Sequence, residues 1–307
     1  MTLPGIYSDS TGGGSMGWII KGILRGVDKI IVNLLGVQLG SNPIGQPPHY
    51  DNPSFGKSPG HWSSNNLDGH DLVKKIYDQI ALNWGQASRT PSVQNWRWEK
   101  QPKIEARNRS PEVRLEKAIV KISSDTWPEV TRWVNQVPTS SGLLNSTSDR
   151  KRAIDLVYKD EGADPNSYHF IELKVRSNNP VFAAMESLVY GILYLVARDR
   201  RDMKPYTQAS NPLLWAEGIR LIVLAPKPYY DGYFGLARLE ETVDEGLVRF
   251  LAGRGFPMGF EFQMFPSDFD PRKVLADKKS RDHEIANALS YRRRLFGTNG
   301  PEAMARS

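Results

Sequence analysis

The chain has 307 residues, 39% hydrophobic and 24% charged, a balance that excludes disorder along its whole length and allows one large domain or a core with an extension. It has no cysteine, which excludes disulfides, thiolate zinc sites and cysteine nucleophiles and leaves any metal to carboxylates, carbonyls, water or the five histidines. The net charge of +6 favours polyanionic partners, because Lys and Arg that neutralise phosphates release condensed counterions.

The first residues are rich in Gly and Ser, with no basic segment ahead of an apolar run. No secretory signal is therefore expected, and a cytoplasmic location fits. From Gly17 to Leu35 the residues Ile19, Ile20, Ile23, Leu24, Val27, Ile30, Ile31, Leu34 and Leu35 fall near helical spacing. Gly22 and Gly26 weaken that helix, so it needs a packing partner. Lys21, Arg25, Asp28 and Lys29 make the stretch Trp18 to Leu39 a poor membrane span, and no transmembrane segment is expected. A Pro/Gly/Asn-rich loop follows from Gly40 to Gly69, then a second helical pattern from Asp71 to Asn83. Residues 1–104 thus form an N-terminal extension, partly helical.

Residues 105–268 alternate helix and strand signals. Ser110-Pro111-Glu112 opens a helix with a capping side chain, a proline at the first position and an acid in the first turn. Ala153 to Tyr158 and Tyr168 to Val175 read as strands joined through the turn-forming Asp160–Asn166 segment. A helix runs from Pro180 to about Arg200, and Ile219 to Leu224 suits a strand buried on both faces. A helix at Leu236–Leu251 and a strand at Gly259–Phe265 complete the pattern. The order predicts an α/β fold, a mixed central sheet flanked by helices. The tail, 269–307, is charged and expected to be helical from Glu284 to Phe296.

Strand alternation isolates a chemical group. In Ile171-Glu172-Leu173-Lys174-Val175, Glu172 and Lys174 share one face while the three apolar residues enter the core. Ile154 and Leu156 flank Asp155 in the same way, and a hairpin would bring Asp155 beside Glu172. Paired carboxylates suit a hard cation such as Mg²⁺. Such a cation stabilises phosphoryl charge and acidifies water, while a lysine orients or deprotonates that water or offsets transition-state charge. Phosphodiester hydrolysis is the reaction these parts fit. The plainer reading is a strand salt bridge between Glu172 and Lys174.

These segments resemble the PD-(D/E)xK nuclease superfamily, whose core is restriction-endonuclease-like. Ala153-Ile154-Asp155-Leu156-Val157 corresponds to its first-acid strand and Phe170-Ile171-Glu172-Leu173-Lys174-Val175 to its E-x-K strand. Glu112-Val113-Arg114-Leu115-Glu116 resembles the upstream glutamate helix, and the choice between Glu112 and Glu116 stays open with a preference for Glu116. Several branches carry Q-x-x-x-Y on the next helix, where this chain has Glu186-Ser187-Leu188-Val189-Tyr190. The glutamate in place of glutamine leaves Glu186 as a ligand, a water-positioning group or helix surface. Ile154 stands where the motif's proline would be. The likeness covers residues 110–225.

The resemblance implies a Mg²⁺- or Mn²⁺-dependent nuclease, DNA favoured over RNA. Asp155, Glu172, the Leu173 carbonyl and Glu116 would hold metal, and Lys174 would act on the water. Arg150, Lys151, Arg152 and Arg176 around the two strands are candidate phosphate contacts. Defence or repair roles are common in that superfamily. Delivery by a helicase or ATPase partner, and self-association, remain open. The rival readings are a non-catalytic module of the same fold and a membrane-surface protein using Gly17–Leu39.

Other signals carry less. Gly13-Gly14-Ser15-Met16-Gly17 matches a nucleophile elbow and Gly12, Gly14 and Gly17 a dinucleotide fingerprint, but no strand precedes either. Gly56-Lys57-Ser58 lacks the first P-loop glycine, and His49, His61 and His70 match no zinc spacing. Trp96 and Trp98 would stack on bases or pack the extension onto the core, the second being the safer reading. Arg198, Arg200 and Arg201 suit a helix end, and Tyr291-Arg292-Arg293-Arg294 would track a backbone or line an exposed helix.

Overall fold

The computed structural model describes residues 23–35, 67–87, 91–103, 110–126, 132–140, 152–160, 166–176, 179–202, 206–276 and 280–296. Helices α1 (Val27–Leu35), α2 (Gly69–Gly85) and α3 (Pro111–Thr126) precede strands β1 (Trp133–Pro138), β2 (Ala153–Asp160) and β3 (Ser167–Leu173). Then come α4 (Pro180–Arg198), β4 (Gly218–Ala225), α5 (Lys227–Tyr230), α6 (Leu236–Leu251) and β5 (Met258–Met264). Helices α7 (Pro271–Ala276) and α8 (Arg281–Ser290) and strand β6 (Arg293–Arg294) complete the order. The chain is an α/β fold with a mixed six-stranded sheet in sequence order, β1 to β6.

The outer pairs β1–β2, β2–β3 and β5–β6 are antiparallel, while β3, β4 and β5 run parallel. β4 sits between two parallel partners, which explains its nearly unbroken apolar sequence. Helices α4 and α6 make the two crossovers. α4 starts where the Asn179 side chain accepts from the Phe182 amide and Pro180 fills the first turn. Alone among the described residues, α4 is long and apolar enough to cross a membrane, and 94% of that window is buried inside the protein.

The pleat sorts the core into two layers. Tyr168, Phe170, Leu221, Val223 and Phe262 join a large cluster with α1, α2, α4 and α6. Ile171, Leu173, Val175, Ile222 and Leu224 join a smaller one with α3, α7 and α8. Where α2 crosses α6 the backbones touch: a Cβ on Gly246 would lie 2.4 Å from the Gly69 carbonyl.

Several expectations change. Residues on either side of 105–268 pack with it: Leu72, Ile76 and Ile80 of α2 are fully buried in the large cluster, and β6 extends the sheet. The tail helix stops at Ser290 rather than Phe296, since β6 and Leu295 bond along β5. Within the described residues the first helix starts at Val27, after Gly26 with φ +84°. Its Val27, Ile31 and Leu35, with Ile23 and Leu24, are covered by protein, so these described residues of the Gly17–Leu39 segment offer no apolar face to a membrane surface. Trp96 is fully buried, its indole N–H donating to Ser140 at 2.6 Å, so it packs the extension onto the core. Arg292 lies over the Trp133 and Tyr158 rings, and Arg294 pairs with Glu240 and Glu261, so these two arginines serve the fold. Arg198 and Arg201 donate to the Leu214 carbonyl, a structural use of the helix end. The glycine-rich motifs, the 40–66 loop, His49, His61, Arg150 and Lys151 lie outside the described residues.

Candidate active site

Glu172 is the last residue but one of β3, on the face toward α4, and Lys174 follows the strand with its amide bonded to the Leu224 carbonyl at 3.0 Å. Both side chains are almost fully buried. Lys174 Nζ stands 2.5 Å from Glu172 Oε1 and 3.3 Å from Glu186 Oε2, so α4 brings a second acid to the same ammonium. One turn on, the Tyr190 hydroxyl donates to Glu186 Oε1 at 3.2 Å, as i,i+4 spacing requires.

Asp155 comes from β2 and is half-buried; its Oδ2 accepts from the Leu173 amide at 3.0 Å, so a carboxylate occupies a ladder position. Simple alternation fails here. Leu156 enters the small core as expected, but Ile154 enters the large one. Opposite Asp155, between the paired residues Asn135 and Val137, lies Gln136 with φ +50°. A left-handed conformation at a non-glycine residue is sparsely populated and costs about 1–3 kcal/mol, so the neighbouring contacts must hold it.

Glu112 and Glu116 do different things. Glu112 Oε1 accepts from the Val175 and Arg176 amides at 3.1 and 3.3 Å, anchoring the backbone after Lys174. Glu116 is buried and accepts from Asn135 Nδ2 at 2.6 Å and Gln136 Nε2 at 2.7 Å, close enough to Asp155 for the two charges to repel. Asn135 and Gln136 were not singled out in the sequence; two adjacent amides between Val134 and Val137 were the available signal. Arg152 hands its carbonyl to the Thr139 amide and hydroxyl, and Arg176 is exposed.

Three acids, Glu172, Glu186 and Asp155, thus act on one ammonium, and Glu116 stands beyond them beside Asp155. Burial, and then Asp155, push the Glu116 carboxyl up to about 8 against its two amide donors. Burial pushes Asp155 up to about 6, with Lys174 pulling down and Glu186 pushing up. Glu172 lies well above the usual carboxylate range through burial and then Asp155 and Glu186. Burial works against the Lys174 charge, but Glu172, Glu186 and Asp155 outweigh it and keep the ammonium protonated. Among the described residues no three His, Asp or Glu side chains converge into a ready metal cage. Asp155, Glu172 and the Leu173 carbonyl are nevertheless all hard oxygen donors, which fits Mg²⁺ or Mn²⁺, since Mg²⁺ keeps most of its own waters and binds through one or two carboxylates. Excess acid beside a single lysine fits a cation equally. No family model, curated protein or solved structure matches this chain.

Proposed function

We propose that the chain hydrolyses phosphodiester bonds of nucleic acid, with DNA the favoured substrate, as a divalent-metal-dependent nuclease of the PD-(D/E)xK type. The observation that carries the reading is the meeting of Asp155, Glu172, Glu186 and Lys174 at the carboxyl end of β3, beside the carboxyl end of parallel β4. Open α/β sheets take ligands at that edge. Asp155, Glu172 and the Leu173 carbonyl would hold the cation, with Glu116 completing the set. Bound there, Mg²⁺ or Mn²⁺ supplies Lewis-acid charge for the phosphoryl oxygens and lowers the pKa of water.

The chain's own groups divide the remaining work. Lys174, held protonated, acts as a donor that orients water or a phosphoryl oxygen and not as a base. Glu186, tied to Tyr190, fixes where the ammonium points. Glu112 holds the backbone that carries Lys174. Without the cation Asp155 and Glu116 are raised toward neutrality, so they would release protons as the metal binds. Arg152 and Arg176 are the described candidates for phosphate contact.

A second reading, a non-catalytic module that binds nucleic acid or protein, is favoured by the tight Glu172–Lys174 pair, since a buried ion pair alone needs no chemistry. Plasmid and oligonucleotide cleavage with and without Mg²⁺ or Mn²⁺, beside Asp155→Ala and Lys174→Ala, separates the two. We expect metal-dependent products from the wild type and losses of at least about 100-fold in both variants. Metal-independent products, or equal activity in the variants, overturn the nuclease reading.

A further inference from the structure

Tyr229 lies on α5, directly after the carboxyl end of β4, whose Leu224 pairs with Leu173 of β3. The residue is 9% exposed, and its ring meets Tyr230 edge-on with centroids 5.2 Å apart. Its neighbour Tyr230 donates to the Val223 and Gln263 carbonyls at 2.8 Å each. The Tyr229 hydroxyl is sealed from solvent and has no hydrogen-bond partner among the described residues. A buried hydroxyl without a partner carries an uncompensated desolvation cost, and phenylalanine would fill the same volume without it.

The surroundings indicate what the hydroxyl serves. It stands within electrostatic reach of Lys174, Glu172 and Glu186, the groups of the candidate site. Burial keeps the phenol far from ionising, so it remains a donor. Lys174 can only donate, and Glu186 already receives Tyr190 and Lys174. Two donors at one end of the sheet, within electrostatic reach of each other, can share an acceptor with several lone pairs, and the non-bridging oxygens of a phosphodiester supply it.

We infer that Tyr229 is a substrate-orienting residue of this site, its O–H uncovered as nucleic acid seats beside Lys174 and then donating to a non-bridging phosphate oxygen. The inference rests on the phosphodiester reading above. A contact present in the ground state and the transition state alike acts on binding, so it appears in KM.

The test compares full-length wild type, Tyr229→Phe and Lys174→Ala in Mg²⁺ on a fluorophore-labelled DNA oligonucleotide, with urea unfolding of each. Tyr229→Phe is expected to raise KM about 10- to 100-fold with kcat within about 3-fold, the range for a hydrogen bond to a charged acceptor. Its urea midpoint should equal or exceed that of the wild type. Wild-type KM in Tyr229→Phe, with Lys174→Ala inactive, overturns the inference and leaves the nuclease reading standing. A loss confined to kcat also overturns it, because the hydroxyl would then serve the attacking water. A lowered urea midpoint overturns it as well, showing that the protein itself satisfies the hydroxyl. Absence of cleavage by the wild type overturns both.

Discussion

Replacing Glu116 by glutamine should make the protein more stable in alkaline solution while leaving it unchanged in acid. Burial and Asp155 lift the folded-state pKa to about 8 from an ordinary 4.5. The folded state therefore keeps a proton that the unfolded chain releases, so stability present below about pH 4.5 is lost as pH rises through about 8. At 1.36 kcal/mol per pH unit, that span bounds the loss at about 5 kcal/mol. Glutamine has nothing to ionise. Its carbonyl can accept from Asn135 Nδ2, whose own Oδ1 is fixed by the Gln101 amide at 2.7 Å. Its amide then faces Gln136, which can rotate its own amide to accept. Both contacts survive, so at pH 5 the two proteins should agree within about 1 kcal/mol. At pH 8, with chelator present, Glu116→Gln should be more stable by about 2–5 kcal/mol, the larger part of that bound. Urea unfolding at pH 5, 6, 7 and 8 reads the difference directly. Parallel curves for the two proteins would refute the reasoning. Mg²⁺ at pH 8 should narrow the gap, because a cation between Asp155 and Glu116 removes the same repulsion.

Two further perturbations act on other parts of the argument. Lys174→Met keeps the side chain's length but leaves Glu172 buried among acids, so unfolding at pH 8 should lose about 3–5 kcal/mol, the cost of breaking a buried pair, and less at pH 5, where Glu172 takes a proton. Equal losses at both pH values would contradict the assigned electrostatics. Gly246→Ala drives a Cβ into the Gly69 carbonyl, and thermal melts should show about 1–3 kcal/mol or more of destabilisation. An unchanged melting temperature would mean that α2 and α6 do not cross backbone to backbone.

Much of the architecture could be read from periodicity, and the failures have physical causes. β3 and β4 were legible because Glu172 and Lys174 alternate with Ile171, Leu173 and Val175 at the end of one, and the other is apolar but for Arg220. β1 was missed because Asn135 and Gln136 interrupt it, and those amides face Glu116 rather than solvent or core. Alternation misplaced Ile154 because it assumes a regular partner, and Gln136 with its positive φ is not one. Spacing alone put Glu112 and Glu116 on one helix face. Only tertiary contacts gave Glu112 the β3 backbone and Glu116 the neighbourhood of Asp155. The extension and tail looked separate because composition records texture, not contact. α2 buries its apolar stripe on α4 and α6, and two residues of the tail suffice to make β6.

The electrostatics weigh against a purely structural salt bridge. A bridge needs one acid for Lys174, and Glu172 at 2.5 Å already provides it. Beyond it, Glu186 raises Asp155 and Glu172, Asp155 raises Glu172 and Glu116, and these raised carboxyls oppose folding at neutral pH. Apolar residues of similar volume would stabilise the same layer better. An arrangement that burdens the fold in the absence of bound charge, and is relieved once positive charge enters, is intelligible as a site prepared for that charge. If so, divalent cations should stabilise the wild type more at pH 8 than at pH 5, because at pH 5 protons already occupy most of Asp155 and Glu116. Stabilisation of equal size at both pH values would place the cation elsewhere and return Glu172 and Lys174 to the role of an ordinary buried pair.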